Sequence, residues 1–343
     1  MSRTQKYLLS GLLCLLLCLG GYLLYQEHQL KAPVNSLTMT QTAVTKHDWL
    51  GANEHMDLEA LYAQAFDEVV VPSLQKRNNG VISDVARDIL HRMRGVFVDT
   101  MVSYTKALIE AKDRKTVAPP THVFARRFLE LSHLQYCSLS SVGETTENGD
   151  IATVKGTIQN SQLNKTFPVA LSLKKLSDGT WKFYKIDNLS ALLVAMEKAQ
   201  DEKLVGLNQP LQDKLKQEIA ITASTFALKT RERPWQAVAL IYQPTFQFIS
   251  EKAISSFIGQ IQILDKTGKV LYNQKYIETG PFPPGAQQAF VLQWTLNPTQ
   301  PKEKALIETK GEGLTSKENI LGVIFTDGTS VKLLEALPDI DKN

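Results

Sequence analysis

Residues 151–187 read IATVKGTIQNSQLNKTFPVALSLKKLSDGTWKFYKID, and their period of two decides the fold of the first half of the chain. Ala152, Val154, Gly156 and Ile158 alternate toward one side, and after the polar stretch 159–165 Val169, Leu171 and Leu173 do so again. Ser177-Asp178-Gly179 is a turn signal, and Trp181-Lys182-Phe183-Tyr184-Lys185-Ile186 has the aromatic and aliphatic make-up of a closing strand. Upstream, residues 134–143 form another expected strand, joined to Ile151 by the hairpin signal Glu147-Asn148-Gly149-Asp150. Three or four antiparallel strands are therefore expected.

The residues before them have a helical period. Leu58, Leu61, Tyr62, Ala65, Phe66 and Val69 follow the i, i+3, i+4 rule, with Pro72 expected to close or kink the segment. Asn78-Asn79-Gly80 marks a turn, and Ser83 can cap a second helix whose stripe is Val85, Ile89, Met93, Val96, Phe97, Tyr104 and Leu108. Gly95 is expected to divide that helix. Pro119-Pro120 ends the region, and a short helix around residues 123–131 follows. Helices followed by antiparallel strands predict an α+β unit over 56–199, with helices packed on one sheet face.

Helices and then long strands ending in Asp178 to Asp187, D-G-T-W-K-F-Y-K-I-D, resemble a nuclear-transport-factor-2-like domain, particularly the small bacterial versions attached to a membrane anchor. The resemblance implies a curved sheet capped by helices, able to enclose a cavity. Met93, Phe97, Met101, Tyr104, Val154, Leu171 and Phe183 would supply apolar material for a core or for a pocket wall. Enzymes of this superfamily place an acid or donor in the pocket, for which Asp88, His91, Asp99, Tyr104 and Cys137 would be the candidates. Asp88, His91 and Asp99 lie among Arg87, Arg92 and Arg94 on a polar helix face, so no catalytic residue is assigned.

Residues 192–217 are charged and helical in character, interrupted by Pro210, and are expected as a connector over 200–218. From Ile219 to residue 337 the pattern is almost entirely β. Strands are expected at Ala237 to Ile241, around Phe257, Ile261 and Ile263, and from Val270 to Tyr276. Further strands are expected around Phe290, Leu292, Trp294 and Leu296, at Ala305 to Thr309, at Ile320 to Phe325 and at Val331 to Leu334. Short strands at this spacing predict a β-sandwich. Ser256 to Asn273 followed by Pro281 to Gly285 is similar to hairpins of immunoglobulin- or fibronectin-type modules on bacterial envelope proteins, without a Cys-Trp-Cys arrangement.

The N-terminus supplies an address. Tyr7 to Tyr25 is a run of nineteen residues without a charge, which as a helix spans roughly 28 Å, the thickness of a bilayer core. Arg3 and Lys6 precede it, so the positive-inside rule puts the tip in the cytoplasm and sends the rest of the chain across. A cleaved signal peptide competes with this reading. Without an A-x-A pattern, an uncleaved transmembrane anchor over 1–25 is favoured. Residues 26–55 are polar, carry Pro33 and show no sustained period, which predicts a tether.

The chain has 343 residues, with 38 Lys and Arg against 35 Asp and Glu spread evenly along it, so no basic face for nucleic acid is expected. Cys14 and Cys18 lie in the apolar run, leaving Cys137 alone and expected as a buried strand residue. No two of the six histidines have metal-ligand spacing, and there is no G-x-S-x-G, P-loop or G-x-G-x-x-G, so neither metal nor cofactor is expected. His47 and His55 are expected as solvated tether residues. These readings predict a non-enzymatic binding or scaffold protein on the bacterial inner membrane, its body periplasmic and its partners other envelope proteins. The layout is similar to inner-membrane components of type IV secretion systems. A carrier or sensor for a lipid or other apolar ligand is the alternative, and an isomerase- or dehydratase-like enzyme the third reading.

Overall fold

The computed structural model describes residues 32–77, 84–230 and 238–338. The chain is a mixture of helices and several antiparallel sheets and divides into two compact units, one ending at Gln200 and the other beginning at Asp201. The apolar run Tyr7 to Tyr25 lies outside the described residues. Among those described, no helix is long and apolar enough to cross a membrane.

The first unit starts earlier than the sequence suggests. Residues expected as tether form two helices, α1 (Pro33–Thr45) and α2 (Trp49–His55). Pro33 sits in the first turn of α1, where its missing N–H costs nothing, and Asp48 caps α2 by accepting from the Gly51 amide at 3.0 Å. Between them His47 takes φ 59° and bonds through Nδ1 to the Ile109 carbonyl at 2.9 Å. The two helices bury Leu37, Ala43 and Ala52. They are too short, and their buried side chains too small, to show a sustained apolar period.

Asp57 caps α3 (Leu58–Ala65) through the Ala60 amide at 3.2 Å. The chain then widens into a π-type turn, Phe66–Val70, and resumes as α4 (Val71–Arg77). Pro72 therefore neither ends nor breaks the segment. It falls in the first turn of α4, directly after a turn whose last amide, that of Val71, reaches back to the Phe66 carbonyl. Helix α5 (Asp84–Glu110) runs through Gly95 without interruption. One helical glycine costs about 1 kcal/mol, less than the packing of the C-terminal half of α5 returns. Helix α6 (Val123–Ser132) completes the set, ended by His133 at φ 47°.

The sheet is a meander in the order β1 (Cys137–Asn148), β2 (Ile151–Asn160), β3 (Lys165–Lys175) and β4 (Trp181–Ile186), antiparallel throughout. Ala152, Val154, Val169, Leu171 and Leu173 are buried, as the period of two predicts. The β4 edge is fastened to the helices. The Asp57 amide donates to the Phe183 carbonyl at 2.7 Å, and the Gln64 side chain donates to the Ile186 carbonyl at 2.6 Å while accepting from its amide at 3.0 Å. Tyr62, Phe66, Phe97, Phe124 and Phe128 form an aromatic cluster among the helices, with ring centroids 5.2 to 6.4 Å apart.

Helix α7 (Leu189–Glu218) absorbs the expected connector, and the division between the units falls within it. Pro210 does not interrupt it. The carbonyl that loses its partner belongs to exposed Gly206, where water can replace the missing amide. In the second unit one sheet has the order β10 (Leu292–Thr295), β6 (Val238–Phe248), β5 (Ile219–Thr230), with β9 (Gln287–Ala289) also on β6. The other runs β12 (Ser330–Lys332), β11 (Thr315–Phe325), β7 (Ile254–Leu264), β8 (Val270–Phe282). Both contribute to one core, in which Phe246 meets Phe257 at 4.7 Å and Phe248 stacks on Phe282 at 4.5 Å. The expected strand at Ala305 to Thr309 is instead α8 (Pro301–Glu308). Its first-turn Pro301, and Glu303 accepting from the Asn297 amide at 2.6 Å, start a helix that the short apolar run Ala-Leu-Ile disguises as a strand.

Gly95 is exposed in mid-helix, and a methyl group there meets nothing within 4 Å. Gly95→Ala is expected to stabilise the first unit by about 0.5–1 kcal/mol, read as a higher midpoint in urea denaturation.

Candidate functional site

The residues proposed as a pocket wall separate into two groups. Phe97 and Met101 lie one turn apart on α5, both buried, and Phe97 is ringed edge-on by Tyr62 and Phe128. Val154 and Leu171 are cross-strand partners, both buried in the sheet, and Phe183 on β4 is half-buried. Met93 and Tyr104 are half-buried; Tyr104 borders an open groove of about 490 Å³ shared with Asp99, Ser103 and Val117. Burial raises the Tyr104 phenol above its ordinary range.

Other titratable groups in this unit serve its architecture. Asp88, His91 and Asp99 are exposed on α5. Asp67 takes a bidentate bond from Arg94, at 3.0 and 2.8 Å. Asp57 pairs with Lys174 at 2.6 Å; burial alone would raise its carboxyl, but Lys174 and the Ala60 amide hold it below the usual range. Cys137 is half-buried, burial pushes its thiol up, and Asn160 Nδ2 donates to Sγ at 3.4 Å. His55 is not a solvated tether residue: it ends α2, it is buried, and its Nδ1 has no hydrogen-bond partner among the described residues. No group of three metal-ligating side chains occurs among the described residues.

A more organised polar site lies in the second unit, at residues that sequence patterning passed over. Glu318 occupies a core-facing register position on β11, opposite Ile261 of β7. Its Oε1 accepts from Ser316 Oγ, two residues earlier on the same face, at 2.7 Å. It also accepts from Ser224 Oγ of β5 at 3.0 Å, which joins the two sheets. Two tyrosines lie within reach of its field. Tyr242 is completely buried and Tyr276 nearly so, with ring centroids 6.0 Å apart. Burial raises both phenols well above their ordinary range, and the Glu318 charge adds to it. Their hydroxyl oxygens are neighbours, yet neither has a geometry that makes a hydrogen bond. Tyr276 fits only because its partner across the strands is Gly259, where any Cβ would collide with the phenol ring.

Beside this group is a cleft of about 530 Å³. Ile219 and Ile221 of β5 line it together with Glu318 and Ile320 of β11, and Gln260 and Lys317 stand on it as well. Its lining is mixed, with these isoleucines beside Lys216, Lys317, Gln262 and Asn319. Sequence alone offered one signal: in Thr-Ser-Lys-Glu-Asn-Ile (residues 315–320) a period of two puts Glu318 in phase with core positions.

No protein-family model matches the chain, and no curated protein matches it. Among solved structures, an ApaA protein from Bordetella pertussis is similar at 10% identity, over 37% of this chain and 96% of its own, with a TM-score of 0.23.

Because the Tyr242 hydroxyl is buried without a partner among the described residues, Tyr242→Phe is expected to raise stability, by about 1 kcal/mol. The shift in the denaturation midpoint of the second unit measures it.

Proposed function

We propose that this chain is a single-pass, membrane-tethered binding protein of the bacterial envelope, a scaffold or assembly component without chemistry of its own. The observation that carries this reading is the uncharged run Tyr7 to Tyr25 behind Arg3 and Lys6, which fits an anchor with its tip in the cytoplasm. The rest of the chain would then lie in the periplasm and meet other envelope proteins there.

In this reading the first unit is a nuclear-transport-factor-2-like domain, supported by a four-stranded meander preceded by helices and fastened to them along β4. The second is an immunoglobulin-like sandwich, supported by two four-stranded antiparallel sheets on one core. Since helix begins at Pro33, only residues 26–32 separate the anchor from the first unit, a reach of at most about 25 Å. The first unit would work close to the bilayer rather than at the end of a long stalk.

A phosphatase reporter joined after residue 31 is expected to be active, as it is only outside the cytoplasm. A fluorescent protein that matures only inside the cytoplasm, joined at the same place, is expected to stay dark. The opposite pair of results would refute the proposed topology.

A further inference from the structure

Helix α5 carries an apolar stripe that its own unit leaves uncovered. Ile89 and Val96 are 54% and 49% exposed, and Met93 between them is half-buried. With Thr100 these residues recur at spacings of four, three and four, so they form one seam along the helix, apart from the face on which Phe97 and Met101 are buried. The Thr100 hydroxyl donates to the Val96 carbonyl at 2.6 Å, which satisfies its polar group within the helix. At the C-terminal end of the seam Asp99 and Thr100 border the open groove of about 490 Å³, so the seam stays uncovered there. Arg92 and Asp99 flank it on the side away from the core. Both are exposed, and neither forms an ion pair among the described residues.

These charges select what covers the stripe. Two helices with this alternation of four and three pack the side chains of one seam into the gaps of the other. In an antiparallel pair Met93 lies beside Val96 of the second copy and Ile89 beside its Thr100. Arg92 then falls opposite Asp99 of the second copy, and the two-fold axis repeats the match. In a parallel pair Arg92 would face the position of Phe97, which is buried in its own unit, and both charges would stay unmatched. An anionic membrane surface would attract Arg92 and repel Asp99.

We propose that the first unit self-associates through α5, as a two-fold antiparallel helix pair with Ile89, Met93 and Val96 at its centre and Arg92 matched to Asp99 of the second copy. The surface belongs wholly to the first unit, so it stands or falls separately from the topology of the N-terminus.

Sedimentation of the full chain in a non-ionic detergent at low ionic strength tests it. The unaltered protein is expected to be dimeric at about 0.1 mM. Arg92→Asp and Asp99→Arg each set two like-charged pairs across the axis, and each is expected to weaken the dimer about tenfold. Mixed in equal amounts, the two variants are expected to pair with each other as tightly as the unaltered chains do, because every Asp then meets an Arg. Val96→Glu, which puts a charge into the apolar seam, is expected to weaken the dimer at least about tenfold with the circular dichroism unchanged. A monomeric unaltered chain at that concentration, a dimer that both charge variants leave undiminished, or a mixture that pairs no better than its separate components overturns the proposal. Should a charge variant fail to fold, an undiminished dimer of Val96→Glu overturns it equally.

Discussion

A sheet edge leaves backbone amides and carbonyls that must find partners, and the first unit is organised around how β4 meets that demand. Among the described residues no fifth strand pairs with it, only an isolated bridge from Met56 to Phe183. Gln64, from α3, presents an amide that donates to and accepts from Ile186, imitating a strand neighbour, while the Asp57 amide takes the Phe183 carbonyl. Asp57 also caps α3 and holds Lys174 of β3, so one residue sets the helix start, the strand contact and an ion pair to the sheet. With that edge fixed, Leu58 and Phe66 are buried and the aromatic cluster can close over Phe97.

The second unit solves a different problem. Its sheets are held by area, through phenylalanines of β6, β7 and β8 in contact at 4.5 to 5.9 Å. Into this apolar interior the chain places two phenols without hydrogen-bond partners among the described residues, and beside them the half-buried Glu318 carboxylate, held by two serines. The Ser224 and Ser316 hydroxyls both donate to one oxygen of Glu318, which ties β5 to β11 across the sandwich.

Where buried side chains are large and recur in phase, sequence patterning reads well. The strands of the first sheet and the β7 face of Phe257, Ile261 and Ile263 were legible for that reason; of the expected α5 stripe Phe97 is buried, but Ile89 and Val96 are exposed. It reads poorly where small residues do the packing or where local punctuation is ambiguous. Ala43 and Ala52 bury little, so residues 33–55 looked like a tether. Gly95 and Pro210 looked like breaks, yet both sit in exposed turns where continuing the helix is cheap. The Ala305 to Thr309 run had strand composition but a helix start four residues upstream at Pro301.

The pocket residues show the same limit. The sequence placed Phe97, Met101, Val154 and Leu171 correctly on inward faces, since the alternation of strand and helix settles which side of an element is apolar. Whether inward means packed or hollow depends on what arrives from other elements, and for Phe97 it is Tyr62, Phe66 and Phe128. The sequence by itself determined the elements, their inward faces and the uncharged N-terminal run, because these are properties of neighbours along the chain. Only the tertiary structure brought Ser224 to Glu318 across 94 residues, because such a contact exists only once separate strands have been brought side by side.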